Sequence, residues 1–515
     1  MKYSLFASLL IFSLASNGIF AQAKATPAPK NSAVPAAVKP SEKKQDYVVP
    51  FVNKTLPNGL EVIVLQDSSV PIVTVELAVR NGSFTEPPEL HGLSHLYEHM
   101  FFKPNFASAV RECASQTSRF SVPPICLRAR ELSSRIGDVS YLKDSNKLSI
   151  SNGSTREEIV NYYFTTTRDY LASAIHNIND AIRYPVFDED EFENEKKVVI
   201  GEIDRLEANP FGMLDRVMKQ KLFYKYPTRK DPQGTRESVG SATIEKMKLI
   251  QSRYYVPNNA ALIVTGDAKP DEVFKLAEQI MGSWERRPVD PFKEFPLVEH
   301  PPLEKSEGVI LERSKEEVTA ESGEENLFVM LGWQGPSIGK DDAATYAADV
   351  FSYIISQPDS RFQRNLVDSG LASGANFGYY TQRNVGPINL VLTGTPAKGK
   401  AALKAAYGEV AHFTDPTYFT DAELESAKTI LETRDLFERE KLSEYAHTLG
   451  FWWSSTGIDY FRGYHSKLRA VTRADIDRYI KTYVQDKNHI AVAMVSAEGK
   501  KASGLTEKDL IGGAK

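Results

Sequence analysis

Cysteine is nearly missing from this sequence of 515 residues: there are two, Cys113 and Cys126. So few exclude a disulfide-built fold, and a lone pair makes a poor zinc site. Long apolar runs are also lacking. The most apolar stretch, about Leu5 to Ala15, is short for a membrane span and carries Ser8 and Ser13, and a mean hydropathy of -0.34 excludes a multi-span protein. There is no extended Lys/Arg stripe, and the formal net charge is -5, which argues against nucleic acid as a partner. What is present is ordinary globular composition, 42% hydrophobic and 25% charged, over a length of about three typical domains, so more than one core is expected.

Lys2, the apolar stretch and Ala21-Gln22-Ala23 form a secretory signal pattern, which places residues 1–23 as a signal peptide cleaved after Ala23. The residue directly after that point is Lys24 and not Cys, so a lipid anchor is not indicated. Export puts the chain in an oxidising compartment, periplasmic in a Gram-negative source and otherwise secreted, where Cys113 and Cys126 close a short loop as a disulfide; two free thiols are the alternative. Residues 24–46, rich in Ala, Pro and Lys, read as an unfolded linker. Folded structure is expected from Tyr47. Leu60–Leu65 and Ile72–Val79 are enriched in β-branched residues and read as two strands paired across a polar turn, and helices are expected over Leu93–Phe102 and Asp188–Glu207.

A weak repeat sets the architecture. Thr243 to Val256 and the strand Ala261–Thr265 are echoed by Thr472 to Val484 and the strand Ile490–Val495. Upstream, Phe187–Phe192 with Lys196 and Val199 is matched by Phe419–Leu424 with Lys428 and Leu431. The expectation is an α+β fold of two duplicated domains, 47–290 and 300–500, each a mainly antiparallel sheet with helices packed on one face, followed by a tail at 501–515.

The chemistry-bearing cluster is His95-Leu-Tyr-Glu98-His99. Its two histidines lie one helical turn apart on one face, within reach of a single ion, with a carboxylate beside them to take a proton from a bound water. Three residues at such spacing arise by chance in roughly one chain per hundred of this length, so a further ligand is needed. Glu195 and Glu202 stand two turns apart on one helical face. Glu202 is the candidate third zinc ligand, and Glu195 the carboxylate one layer back that orients a ligand or the water. In the register of the repeat, Arg434 and Ala427 occupy these two places, so the second copy cannot hold a metal in this way. The other histidines (His91, His176, His300, His412, His447, His465 and His489) have no such partners in sequence, and Phe451-Trp452-Trp453 reads as core or interface, with a substrate role as the alternative.

Thr55-Leu-Pro-Asn-Gly-Leu60, Gly92 through Lys103, Glu195 through Ile203 and the duplicated layout together resemble the insulinase, pitrilysin and mitochondrial processing peptidase superfamily of inverzincins, over nearly the whole chain from Thr55. The resemblance implies a clamshell metalloendopeptidase with Zn2+ on His95, His99 and Glu202, Glu98 as general base and Glu195 in support. It also implies that an extended peptide adds as a strand along Lys147–Thr155, at Asn152, Gly153 and Ser154. The stretch after Lys103 that holds both cysteines is longer than the family carries, and reads as an insertion at the cleft mouth. Family members that act alone carry an Arg and a Tyr in the C-terminal half; here Leu366 and Ser373 hold those places, which implies a heterodimer whose homologous partner supplies the pair. Tyr379 or Tyr380 acting in cis is the alternative. Rival functions are a non-catalytic scaffold of the same fold and a zinc store or sensor.

Overall fold

In the computed structural model, which describes residues 48–114, 122–320 and 323–512, the β-branched runs form strands buried on both faces. The signal and linker segments expected at 1–23 and 24–46 lie outside the described residues. Eleven strands are seen among those described: β1 Val52–Thr55, β2 Glu61–Gln66, β3 Ile72–Val79, β4 Ile150–Thr155, β5 Val160–Thr167, β6 Ala260–Gly266, β7 Glu307–Arg313, β8 Leu327–Gln334, β9 Gly374–Tyr379, β10 Pro387–Gly394 and β11 Ile490–Ser496. They make two sheets, ordered β1-β2-β6-β3-β5-β4 and β7-β11-β8-β10-β9. In each, the last strand of the half runs parallel to the first long one and every other pairing is antiparallel.

One expectation fails here. β2 and β3 do not pair with each other, because β6 lies between them, parallel to β2 and antiparallel to β3. Val62 to Leu65 are buried on both faces, so β2 needs a long-range neighbour on its inner side that a hairpin cannot supply.

The helices that matter for the site are α1 Leu93–Phe101, α2 Phe106–Ala114, α3 Pro124–Ile136, α4 Leu171–Arg183, α5 Glu189–Ala208 and α6 Pro210–Leu222. One face of the first sheet packs on helices of its own half, through Val62, Val64, Val75, Leu77 and Val264 against α1, α4 and the helix Pro270–Met281. Its other face, at Ile63, Ala78 and Ile263, is covered by the helix Leu442–Ser455 from the second half. The exchange is reciprocal: α6 lays Leu214, Met218 and Leu222 on Phe328, Met330 and Val492 of the second sheet. Each of those buried side chains contributes about 1.5–3 kcal/mol of transfer free energy, so the halves interlock. The end of the chain joins in as well. Residues 497–510, expected in large part as a tail, form two short helices that pack on β7 and β11 and bury Leu505 and Leu510. No helix of the described residues is long and apolar enough to cross a membrane.

Candidate metal centre

The N-terminus of α1 is fixed by residues outside the motif. Gly92 stands at the cap with φ of 78°, where an added Cβ would meet Gly234 Cα at 2.7 Å. The buried Glu86 carboxylate accepts the backbone N–H groups of Gly92 and Ser94 at 2.7 and 2.6 Å, satisfying donors that a helix start leaves orphaned. α5 starts on the Asp188 cap, with Glu189, Asp190 and Glu191 in its first turn complementing the helix dipole.

The packing of α1 on α5 brings one nitrogen of His95, one of His99 and one oxygen of Glu202 within 4.8 Å of one another. Glu202 Oε2 is 3.3 Å from His95 Nε2 and 3.6 Å from His99 Nε2. Tetrahedral zinc with bonds near 2.0–2.1 Å separates its ligand atoms by about 3.4 Å, so these three groups fit zinc and leave one position open. His99 Nδ1 donates to Glu195 Oε2 at 2.9 Å, which commits Nε2 to face the site. Glu195 is in turn held by Lys103, whose Nζ lies 2.5 Å from its Oε1, and Lys103 also reaches Glu191 at 3.4 Å. Arg205 pairs with the other oxygen of Glu202 at 3.3 Å.

Glu98 is buried beside this cluster, its Oε2 4.0 Å from His95 Nε2 and accepting Thr155 Oγ1–H at 3.3 Å. The environments of the carboxylates push them apart. Burial raises Glu98, against the pull of His95 and His99, so it is the member suited to carrying a proton. Glu202 is held far below the usual range: burial opposes this, but hydrogen bonds from His95 and His99 prevail. The His99 bond and Lys103 keep Glu195 ionised against its partial burial. For His99, burial disfavours charge, yet the bonds to Glu195 and Glu202 outweigh it and lift the imidazole to about 10 in the metal-free protein.

β4 forms the edge of the first sheet, paired on one side with β5. Of the three positions read as substrate contacts, Gly153 lies against Glu98: a Cβ there would meet its Oε1 at 2.8 Å and Cγ at 2.9 Å. Its N–H is taken by Asn152 Oδ1 at 2.9 Å, whereas Ser154 Oγ donates to Asn161 Oδ1 at 2.6 Å. Gly153→Ala is therefore expected to displace Glu98 and lower kcat/KM by about 10²-fold, the usual cost of a misplacement near 1 Å, with zinc content unchanged. An unchanged rate with the alanine would show that the strand does not brace Glu98.

Cys113 on α2 and Cys126 on α3 are joined in a disulfide with Cα atoms 5.6 Å apart, closing a helical hairpin that begins three residues after Lys103. In the second half, the helix Asp421–Glu438 starts on the Thr420 cap and presents Ala427, fully buried, and Arg434, which bonds Tyr353 and Glu438. Leu366 is buried in the core, and Ser373 Oγ donates to Thr393 O at 3.1 Å. Tyr379 is buried and donates to Pro336 O at 2.9 Å, which commits its hydroxyl hydrogen away from substrate. Trp453 is core, donating Nε1–H to Glu61 at 2.7 Å. Glu86 escaped the sequence reading, as did the contacts that Lys103, Gly153 and Thr155 make with Glu195 and Glu98; the nearest signal for Lys103 was its place one helical turn past His99.

Two duplicated sheets that exchange helices, one of them carrying an inverted His-x-x-Glu-His helix faced by a carboxylate two turns along a second helix, define the M16 peptidase architecture. The chain belongs to that family: the model described as Insulinase (Peptidase family M16) matches residues 61–114 and 140–231, and that described as Peptidase M16 inactive domain matches 241–431. The unmatched interval in the first half contains Cys126. The chain is 23% identical to the zinc protease PqqE of Helicobacter pylori over 456 residues, covering 87% of this chain and 93% of that protein. Its fold matches a crystal structure of a protease from Helicobacter pylori with a TM-score of 0.71 at 20% identity, over 87% of this chain and all of the other. It also matches the periplasmic protease PqqL of Escherichia coli with a TM-score of 0.63 at 14% identity, over 92% of this chain but 50% of that one.

Proposed function

We propose that the protein is a zinc metalloendopeptidase that cleaves internal bonds of extended or unfolded peptides, exported and acting as the zinc-bearing subunit of a heterodimer. The observation that carries this reading is the convergence of His95, His99 and Glu202 at zinc-ligand spacing with the buried Glu98 beside them. Bound there, zinc would polarise the scissile carbonyl and make the attacking water acidic. Glu98 accepts the proton of that water and returns it to the leaving nitrogen, a role that its raised affinity for protons supports. Glu195, steadied by Lys103, keeps the His99 proton on Nδ1 and its Nε2 free for the ion. The outer edge of β4 offers backbone groups along which a peptide adds as a further strand, passing Gly153 and Glu98.

In this reading residues 47–290 form the zinc domain and 300–500 an inactive homologous one, with Ala427 and Arg434 in the places of Glu195 and Glu202. The partner is supported by two observations. Leu366 and Ser373 bring no donors to substrate, and the Escherichia coli protease matched here is about twice as long as the region it shares with this chain. Purified protein is expected to bind one zinc and to cleave an unfolded polypeptide only weakly, in a chelator-sensitive way, with a gain of about 10²–10³-fold when a homologous partner supplies oxyanion donors. Cleavage indifferent to chelator, or zinc binding with no cleavage in the presence of any partner copurified from the source, would sink the proposal, the latter in favour of a scaffold.

A further inference from the structure

The two edge strands end at equivalent places. β4 closes at Thr155 and β9 at Tyr379, and the next residues, Arg156 and Tyr380, each donate a backbone N–H across their turn, to Ile159 O at 2.9 Å and Pro387 O at 3.0 Å. The turns are clamped together: the buried Glu158 carboxylate accepts the N–H groups of Arg383 and Asn384 at 2.7 and 3.1 Å. Beside this junction lies a cavity of about 190 Å³, walled by the rings of Tyr380, Phe451, Trp452 and Tyr464, with Arg156 and Asp349 on its lining.

The arginines around it differ in one respect. Arg383 donates to the carbonyls of Ser454 and Ser455, and Arg80 donates to Trp453 O while lying 4.0 Å over the Trp453 ring. Arg156 has no carboxylate within ion-pair distance among the described residues; its side-chain partner is the Tyr380 phenol. Asp349, across the cavity, is occupied with the Tyr464 hydroxyl at 2.6 Å. Burial pushes its carboxyl up to about 7, so it does not act as a full counter-charge. A half-buried guanidinium that meets a neutral phenol and no carboxylate, set among aromatic walls, matches a carboxylate carried on a ring-sized apolar group.

We propose that this cavity binds the C-terminal carboxylate of a peptide ending in an aromatic residue, with the carboxylate on Arg156 and the ring packed against the wall that Phe451 and Trp452 form. The site lies on the far side of the edge strand from the metal centre: Gly153 and Thr155 face Glu98, and Arg156 follows them onto the side of the helix Leu442–Ser455. It does not depend on the peptidase reading, and a metal-free protein keeps it.

The test uses full-length protein stripped of metal by chelator, with Trp fluorescence as the readout and N-acetylphenylalanine against its amide as probes. The acid is expected to saturate below about 10 mM, and the amide to bind at least about 10-fold more weakly, as loss of a charge-assisted bidentate contact implies. Arg156→Met should weaken the acid to the level of the amide, and Arg156→Lys should fall between. Equal binding of acid and amide to the unsubstituted protein, which no folding defect can mimic, overturns the proposal. So does loss of acid binding in His99→Ala, which would place the probe at the metal centre, or an absence of saturation.

Discussion

Glu98→Gln is expected to lower kcat/KM on an unfolded polypeptide by about 10²–10⁴-fold while leaving zinc affinity close to that of the unsubstituted protein. The side chain keeps its length and its acceptor for Thr155 Oγ1–H, so the packing around His95 is preserved. The amide cannot take a proton from water. Glu202→Gln should behave in the opposite order, losing the metal first, because it removes the charge that both imidazoles face at 3.3 and 3.6 Å. Comparing the two by metal analysis and by single-turnover cleavage separates base from ligand. Turnover within about 10-fold of normal in Glu98→Gln would end the general-base assignment, since proton transfer is worth more than that.

The contrast between these two carboxylates also marks what sequence could disclose. His95, Glu98 and His99 were legible because helical spacing alone sets them on one turn, and Glu195 and Glu202 because seven residues return to the same helical face. The repeat was legible too, since the caps Asp188 and Thr420 and the helices they start keep one displacement through Glu202 and Arg434. Contacts that depend on strand order were not. Nothing local shows that β6 inserts between β2 and β3, and it is that insertion which opens an inner face for a helix from the other half. Glu86 reads as a loop carboxylate until the chain folds it under α1, and Gly153, read as a substrate contact, shows its closeness to Glu98 only when that side chain occupies the space of its missing Cβ. His447 looked like an isolated histidine in the sequence. Its partner, Glu76, is 371 residues away.

That pair underlies the second large effect. Glu76 sits in the middle of β3 with no exposed surface, facing the helix Leu442–Ser455. One oxygen accepts Asn161 Nδ2–H at 2.8 Å and the other is bonded by His447 Nδ1, while Gly450, one turn further along the helix, allows close approach: a Cβ there would stand 2.6 Å from Glu76 Oε1. The helix of the second half is thus docked on the first sheet through a carboxylate that water cannot reach. His447→Leu leaves that carboxylate without its cation, and breaking such a buried pair costs about 3–5 kcal/mol, read as a lower urea midpoint. The effect has a pH signature. Burial alone would lower His447, but the Glu76 charge and hydrogen bond prevail and raise it, so its stabilisation is complete below the unfolded value near 6.5 and is lost as pH rises through the higher folded value. The midpoint gap between the parent protein and His447→Leu should accordingly be widest in mild acid and narrow towards alkaline pH. Because Asn161 also holds Ser154 on β4, the same substitution should loosen the edge strand and slow cleavage, even under conditions where the protein stays folded. A gap that is small, or that widens with pH, would mean that the exchanged helix is held by Leu449, Trp453 and their apolar neighbours alone.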